Sequence, residues 1–229
     1  MPKKTLIIDC DGVIYPFEVF PLGEFVTAMK RTYREDLNVD GHTQARVSAE
    51  TLEKNRLGMF NYIRAMCDET GYDFDKFFHK MQEKLDYTKI TKDEALFKAL
   101  VMQAKQNNVV ILTNNHKSHL DMVLQHRFGK NIYDLQKAGI KCFDIKSTEK
   151  DGVFYPKQDP EGLVMFTDRL GVLPQDCILI DDTQRNIEAA QRIGMKTVLI
   201  TENYTLKHYL TEMNSRKVKT KTYYGKENG

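Results

Sequence analysis

Hydrophobic residues along the chain fall into two patterns. In the first, short unbroken apolar runs occur at Thr5-Leu6-Ile7-Ile8, Val109-Val110-Ile111-Leu112, Cys177-Ile178-Leu179-Ile180 and Thr197-Val198-Leu199-Ile200. Short, partly β-branched runs without alternation predict strands buried on both faces. Lys141-Cys142-Phe143-Asp144-Ile145 is a weaker strand, followed by a polar loop from Lys146 to Gln158. In the second pattern, apolar residues recur at helical spacing. This predicts helices over Lys92 to Gln106, His116 to His126, Glu161 to Leu170 and Arg185 to Ile193, the last stopped by Gly194. Strands alternating with helices imply an α/β fold with a doubly wound, mainly parallel sheet, whose ligands collect at the carboxyl ends of the strands.

From about Glu18 to Asp93 the pattern changes: helical spacing continues among many charges, with no second buried strand. This stretch reads as an all-helical insertion. Its helices are expected over Glu18 to Asp36, Thr43 to Asn55, Gly58 to Glu69 and Asp73 to Leu85, with Asp73 capping the helix that carries Phe77, Phe78 and Met81. Ile14-Tyr15-Pro16-Phe17 is a proline-stiffened link into it. The chain then divides into a core of residues 1–16 and 91–203, a helical module of residues 17–90 and a tail of residues 204–229.

Charge changes this picture only at the end. The 229 residues are nearly balanced, at net +2, but the stretch from Lys207 carries six basic and two acidic residues, leaving 28 and 30 elsewhere. A slightly acidic body does not suggest a nucleic-acid surface. The tail begins as a helix and is expected to become mobile from about Lys217. Its interleaved Lys and Tyr would suit contact with a membrane, RNA or another domain, although a solvated tail is the plainer reading. No run reaches membrane-spanning length. Cys10, Cys67, Cys142 and Cys177 lack paired spacing, and the chain opens without an apolar leader, so they read as reduced thiols of a cytoplasmic protein.

The candidate chemistry lies at the strand ends. The first strand runs into Asp9-Cys10-Asp11-Gly12, where two carboxylates two residues apart point the same way if the strand geometry persists. Alternation turns Cys10 toward the core. One aspartate could attack phosphorus while the other protonates the leaving oxygen and later activates water. A cation between them would relieve their repulsion, and Mg²⁺ prefers such oxygen ligands. Taken alone, the pair could equally form a cap or a turn. The second strand ends on Thr113-Asn114-Asn115 and the third on Asp181-Asp182. Thr113 offers a hydroxyl, Lys157 in the loop before a helix could neutralise a phosphate, and Asp181 and Asp182 could complete a Mg²⁺ site with Asp9.

In order, D-C-D-G-V, I-L-T-N-N, Y-P-K-Q-D-P and L-I-D-D-T-Q-R-N resemble the four motifs of the haloacid dehalogenase (HAD) superfamily, over nearly the whole chain to about Thr201. The resemblance implies a Rossmann-like core with a helical cap, a Mg²⁺ cofactor and a role for each residue. Asp9 would be nucleophile and metal ligand. Asp11 would be general acid/base, with its backbone carbonyl on the metal. Thr113 and Asn114 would bind phosphate, Lys157 would balance charge, and Asp181 and Asp182 would hold Mg²⁺. Many members place proline directly after the motif lysine; Gln158 stands there, with Lys150 as the alternative lysine. Dehalogenases of this fold lack the second acid, so Asp11 favours phosphoryl transfer. Phosphoglucomutases keep both acids and remain an alternative to hydrolysis.

Substrate choice is expected from the insertion. Tyr15-Pro16-Phe17 and Arg56-Leu57-Gly58-Met59-Phe60 are loosely similar to segments of pyrimidine 5′-nucleotidase-like members. This implies a nucleotide or other small phosphomonoester, with phosphotyrosine on a protein as the alternative and a catalytically silent binding module as the third. Tyr15, Phe17, Phe60 and Tyr62 could stack on a ring, although core packing between helices accounts for most of them. His116 and His119 are expected to be surface or capping histidines rather than metal ligands.

Overall fold

The computed structural model describes residues 3–53 and 58–224, with side chains through residue 215. Its strands are β1 (Thr5–Ile8), β2 (Asn108–Leu112), β3 (Ile140–Phe143), β4 (Glu149–Lys150), β5 (Val153–Phe154), β6 (Cys177–Asp181) and β7 (Lys196–Leu199). Helices of the insertion are α1 (Leu22–Glu35), α2 (Gly41–Glu53), α3 (Met59–Thr70) and α4 (Phe74–Gln82). Those of the core are α5 (Glu94–Ala104), α6 (Lys117–Phe128), α7 (Ile132–Lys137), α8 (Pro160–Leu170), α9 (Gln184–Arg192) and α10 (Leu206–Tyr224).

Five parallel strands form one sheet in the order β3-β2-β1-β6-β7. β1 is central, and Thr5 pairs with Asn108 on one side and Cys177 on the other. This explains its unbroken apolar run, because both faces are covered. Leu6 and Ile8 enter a cluster with Leu100, Leu120 and Val123, whereas Ile7 enters one with Leu163, Phe166 and Ala190. Helices therefore cover both sides of the sheet, and the ends of β1, β2 and β6 lie side by side.

The insertion is helical as expected. Asp73 accepts a hydrogen bond from the Lys76 amide and starts α4, whose Phe77, Phe78 and Met81 are fully buried. Its first helix begins later than expected, at Leu22: Pro16 and Pro21 bracket a short 3-10 turn over Phe17–Val19 and delay regular helix. Asn55, Arg56 and Leu57 lie outside the described residues.

The core departs from the sequence pattern in two places. The supposed loop from Lys146 to Gln158 contains an antiparallel β4-β5 hairpin, with Asp151 and Gly152 at positive φ in its turn. A short helix, α7, follows a capping box formed by Asn131 and Asp134. The tail begins as the expected helix, α10, anchored by buried Leu206 and Leu210 and a 2.7 Å Gln103–Asn214 hydrogen bond, and the helix runs to Tyr224. Residues 225–229 lie outside the described part. No helix of the described residues is long and apolar enough to cross a membrane.

Candidate active site

Asp9, Thr113 and Asp181 sit at or just beyond the ends of β1, β2 and β6, so the sheet itself sets their spacing. The Asp9 amide donates to the Ile180 carbonyl at 2.9 Å, which carries β1 pairing to the first functional residue. Beyond it the chain turns at Gly12, with φ 75° and the Ile14 amide donating to the Cys10 carbonyl at 2.9 Å. Glycine is required there for two reasons. A side chain would be strained at that φ, and a Cβ would stand 1.9 Å from Asp182 Oδ2.

Lys157 lies at the centre of the site. Its ammonium is 2.6 Å from Asp9 Oδ1 and 2.7 Å from Asp181 Oδ2, and it also donates to the Leu112 carbonyl at 3.3 Å. Asp9 is 6 % exposed, Lys157 2 % and Asp181 fully buried, so this cation is shielded from water. Burial would weaken the ammonium form, but Asp181 and Asp9 overcome that effect and raise the Lys157 pKa. Asp181 is further held by the Thr183 amide and the Asn186 side-chain amide, both at 2.9 Å. Lys150 instead lies exposed in the β4-β5 hairpin and takes no part.

Carboxylate oxygens of Asp9, Asp181 and Asp182 come within 4.8 Å of one another. Burial and then Asp181 push the Asp9 pKa well above the usual carboxylate range, and the same two causes raise that of Asp182. One lysine does not balance these acids. An all-oxygen donor set with surplus negative charge fits a hard divalent cation such as Mg²⁺.

Asp11 has different surroundings. Its Oδ1 accepts from Tyr15 Oη at 2.5 Å and from His119 Nε2 at 2.8 Å, while Oδ2 accepts from Thr113 Oγ1 at 3.0 Å. Burial opposes ionisation, yet His119, Tyr15 and Thr113 together lower its pKa to about 2. The two acids are thus driven in opposite directions by their environments, Asp9 upward and Asp11 downward.

The remaining sequence candidates have protein partners. Asn114 accepts from the Lys157 amide at 2.9 Å and donates to Gln158 at 3.3 Å. Gln158, the departure from the family pattern, therefore helps fix the lysine loop. Neither expected surface histidine is exposed. His116 does cap α6, but it also bonds Asp75 at 2.9 Å and stacks on Phe78; His119 is buried against Asp11. The sequence reading missed Tyr15 and His119 as partners of Asp11, and Tyr87 as the partner of His119; Tyr15 is four residues from Asp11 across the Gly12 turn, whereas no local spacing signals the contacts of the two distant residues.

The insertion is fastened over this end of the sheet. Asn61 pairs with both backbone groups of Phe154, Asp75 binds His116 and Lys146, and Gln82 bonds Ser118 at 2.6 Å. Phe60 and Tyr62 pack inside the helical layer, against Phe78 and Tyr33. A cavity of about 160 Å³ remains between Phe60, Asn61, Asn114 and Gln158. A larger one of about 750 Å³ opens beside Gly12 and Asp182, lined also by Tyr15, Phe17, Arg127 and Lys207.

Comparison with known proteins agrees with this architecture. Pyrophosphatase PpaX of Bacillus velezensis is 26% identical over 132 residues, covering 57% of this chain and 54% of PpaX, so the match spans about half the relative's length. A HAD family enzyme of Bacteroides thetaiotaomicron, solved with magnesium and inorganic phosphate, superposes with TM-score 0.52 at 14% identity, covering 91% of this chain and 99% of that one. CbbY of Rhodobacter sphaeroides, in complex with xylulose-(1,5)bisphosphate, gives TM-score 0.54 at 14% identity, over 90% and 89%. The sequence profile of the haloacid dehalogenase-like hydrolases matches residues 3–194, and with the acids of β1 and β6 converging at one end of the sheet, the chain belongs to that family.

Proposed function

We propose that the protein is a Mg²⁺-dependent phosphatase that hydrolyses a small phosphomonoester through an aspartyl-phosphate on Asp9. The observation that carries this reading is the Asp9 carboxylate, fixed by Lys157 beside Asp181 and Asp182 with a second, separately held acid two residues on. Mg²⁺ would be held by Asp9 and the Asp11 backbone carbonyl, with Asp181 and Asp182 directly or through water. When bound, it supplies charge neutralisation to the phosphoryl oxygens.

In the first step an Asp9 oxygen bonds to phosphorus as the bond from phosphorus to the leaving oxygen breaks; the negative charge of the phosphate beside Asp11 raises that carboxyl from about 2 so that it carries a proton, which it gives to the leaving oxygen. In the second, Asp11 takes a proton from water, whose oxygen attacks phosphorus. The bond from Asp9 to phosphorus breaks and phosphate leaves. Lys157 holds Asp9 in place and offsets charge, while Thr113 and Asn114 border the phosphoryl position at the end of β2.

A small substrate is favoured over a phosphotyrosine protein because the insertion is fastened at Asn61, Asp75 and Gln82. The cavity of about 750 Å³ meets the site only at Gly12 and Asp182, with Phe17 on its wall, so it can take at most the part of a small substrate that lies away from the phosphoryl group. PpaX is named for pyrophosphate hydrolysis and CbbY was solved with a sugar bisphosphate, which supports phosphoryl substrates generally. The four free cysteines agree with a reducing compartment such as the cytoplasm. The test is kcat/KM over nucleotides, sugar phosphates and phosphotyrosine peptides, with Mg²⁺ and with EDTA. The proposal expects a small ester to lead and EDTA to abolish turnover. A lead by phosphotyrosine peptides would reverse the substrate ranking.

A further inference from the structure

We infer that His119 is a positioning residue for Asp11, locking one carboxylate oxygen so that the other is the one that exchanges a proton with the substrate. This rests on the phosphatase reading above and goes beyond it by giving a role to a residue outside the four motifs.

His119 is fully buried in α6, with ring neighbours Phe25, Tyr87 and Phe20 at centroid distances of 5.2, 5.5 and 6.0 Å. Each nitrogen has a polar partner: Nδ1 lies 2.7 Å from the Tyr87 hydroxyl and Nε2 2.8 Å from Asp11 Oδ1. Because Asp11 Oδ1 accepts, the proton facing it sits on Nε2 whether the ring is neutral or charged. In the neutral ring Nδ1 then accepts from the phenol of Tyr87. Tyr15 donates to the same Oδ1 at 2.5 Å, so that oxygen has both acceptor sites filled by protein. Oδ2 receives only Thr113, at 3.0 Å, and keeps a free acceptor site.

A carboxyl group carrying its proton on the wrong oxygen, or free to rotate, would be a poor acid catalyst even with its charge unchanged. Three donors remove that freedom: Tyr15 from the link into the insertion, His119 held in turn by Tyr87 from the link out, and Thr113 just past β2. The arrangement also explains why a histidine is tolerated in a wholly buried site, since both of its nitrogens are satisfied.

The test separates positioning from folding by leaving group. An aryl oxide departs without help, whereas an alkoxide needs a proton, so loss of acid positioning penalises alkyl esters selectively. With para-nitrophenyl phosphate and ethyl phosphate as probes, His119→Ala is expected to lower kcat/KM, which reports the step in which Asp11 acts as acid, by about 10²-fold on the ethyl ester and by only about threefold on the aryl ester. His119→Gln, which can return an N–H to Asp11, should recover much of the difference. Tyr87→Phe, which frees the tautomer, should show the same selectivity more weakly. Equal losses on both esters in all three variants would overturn the inference while leaving the phosphatase reading intact. Absence of turnover in the unmodified protein would instead contradict that reading. The tautomer is checked independently of activity by nitrogen-detected NMR of the histidines. A proton on Nε2 of His119 supports the inference, and an Nε2 without one overturns it.

Discussion

The Lys157 ammonium lies 2.6 Å from Asp9 Oδ1, and both groups are almost wholly withdrawn from solvent. Removing one member of such a pair leaves the other buried and unbalanced, and here Asp181 depends on the same lysine. Lys157→Met should therefore lower stability by about 3–5 kcal/mol and kcat by at least about 10²-fold. Thermal unfolding and phosphate release measured on the same preparation check both.

Gly12 has a sharper prediction because a control exists in the same chain. Gly152 has nearly the same φ, 74° against 75°, but open space where its Cβ would be, whereas a Cβ at Gly12 would meet Asp182. Gly12→Ala should raise the Mg²⁺ concentration for half-maximal activity by about 10–100-fold. Gly152→Ala should cost about 1–2 kcal/mol of backbone strain and leave the Mg²⁺ requirement unchanged. Activity titrated against Mg²⁺ tests the pair.

Asn61 joins the insertion to the core by donating to the Phe154 carbonyl at 2.9 Å and accepting from its amide at 2.8 Å. Asn61→Ala leaves both buried backbone groups unpaired, at about 1–3 kcal/mol each. The expected outcome is a lower Tm, faster hydrogen exchange at the Phe154 amide, and a rise in KM larger than the fall in kcat.

Much of this framework was legible beforehand. The unbroken runs at Leu6-Ile7-Ile8 and Ile178-Leu179-Ile180 could belong only to strands covered on both faces, and the acids after them fall where such a sheet binds ligands. Lys157 was singled out by its place in the loop before a helix and then by motif order, and the fold brings its ammonium to Asp9 across 148 positions of chain. What escaped the sequence reading depends on tertiary contact. The β4-β5 hairpin is two residues per strand, too short to show alternation. Asn61 looks like any polar helix residue until Phe154 is beside it. His116 and His119 look alike in sequence at helical spacing, yet one holds the insertion and the other holds Asp11.

Asp75 supplies a pH dependence. Burial would raise its pKa, but hydrogen bonds from Lys146 and His116 prevail and lower it to about 2, below the value of about 3.9 for an unfolded aspartate. A pKa lowered on folding stabilises the protein above about pH 4, and the contribution is lost as pH falls toward 2. With 41% of the side chain exposed, solvent screening limits it to roughly a few tenths of a kcal/mol. Tm measured from pH 5 downward should fall less steeply in Asp75→Asn than in the unmodified protein.

The most direct measurement is capture of the phosphorylated enzyme. Protein mixed with a phosphomonoester and Mg²⁺, quenched in acid, reduced with tritiated borohydride, which turns an aspartyl-phosphate into homoserine as phosphate leaves, and digested should carry its tritium at Asp9. Asp9→Asn should give neither modification nor turnover. Label confined to another residue, or undiminished turnover in Asp9→Asn, would contradict the assignment of Asp9 as the nucleophile.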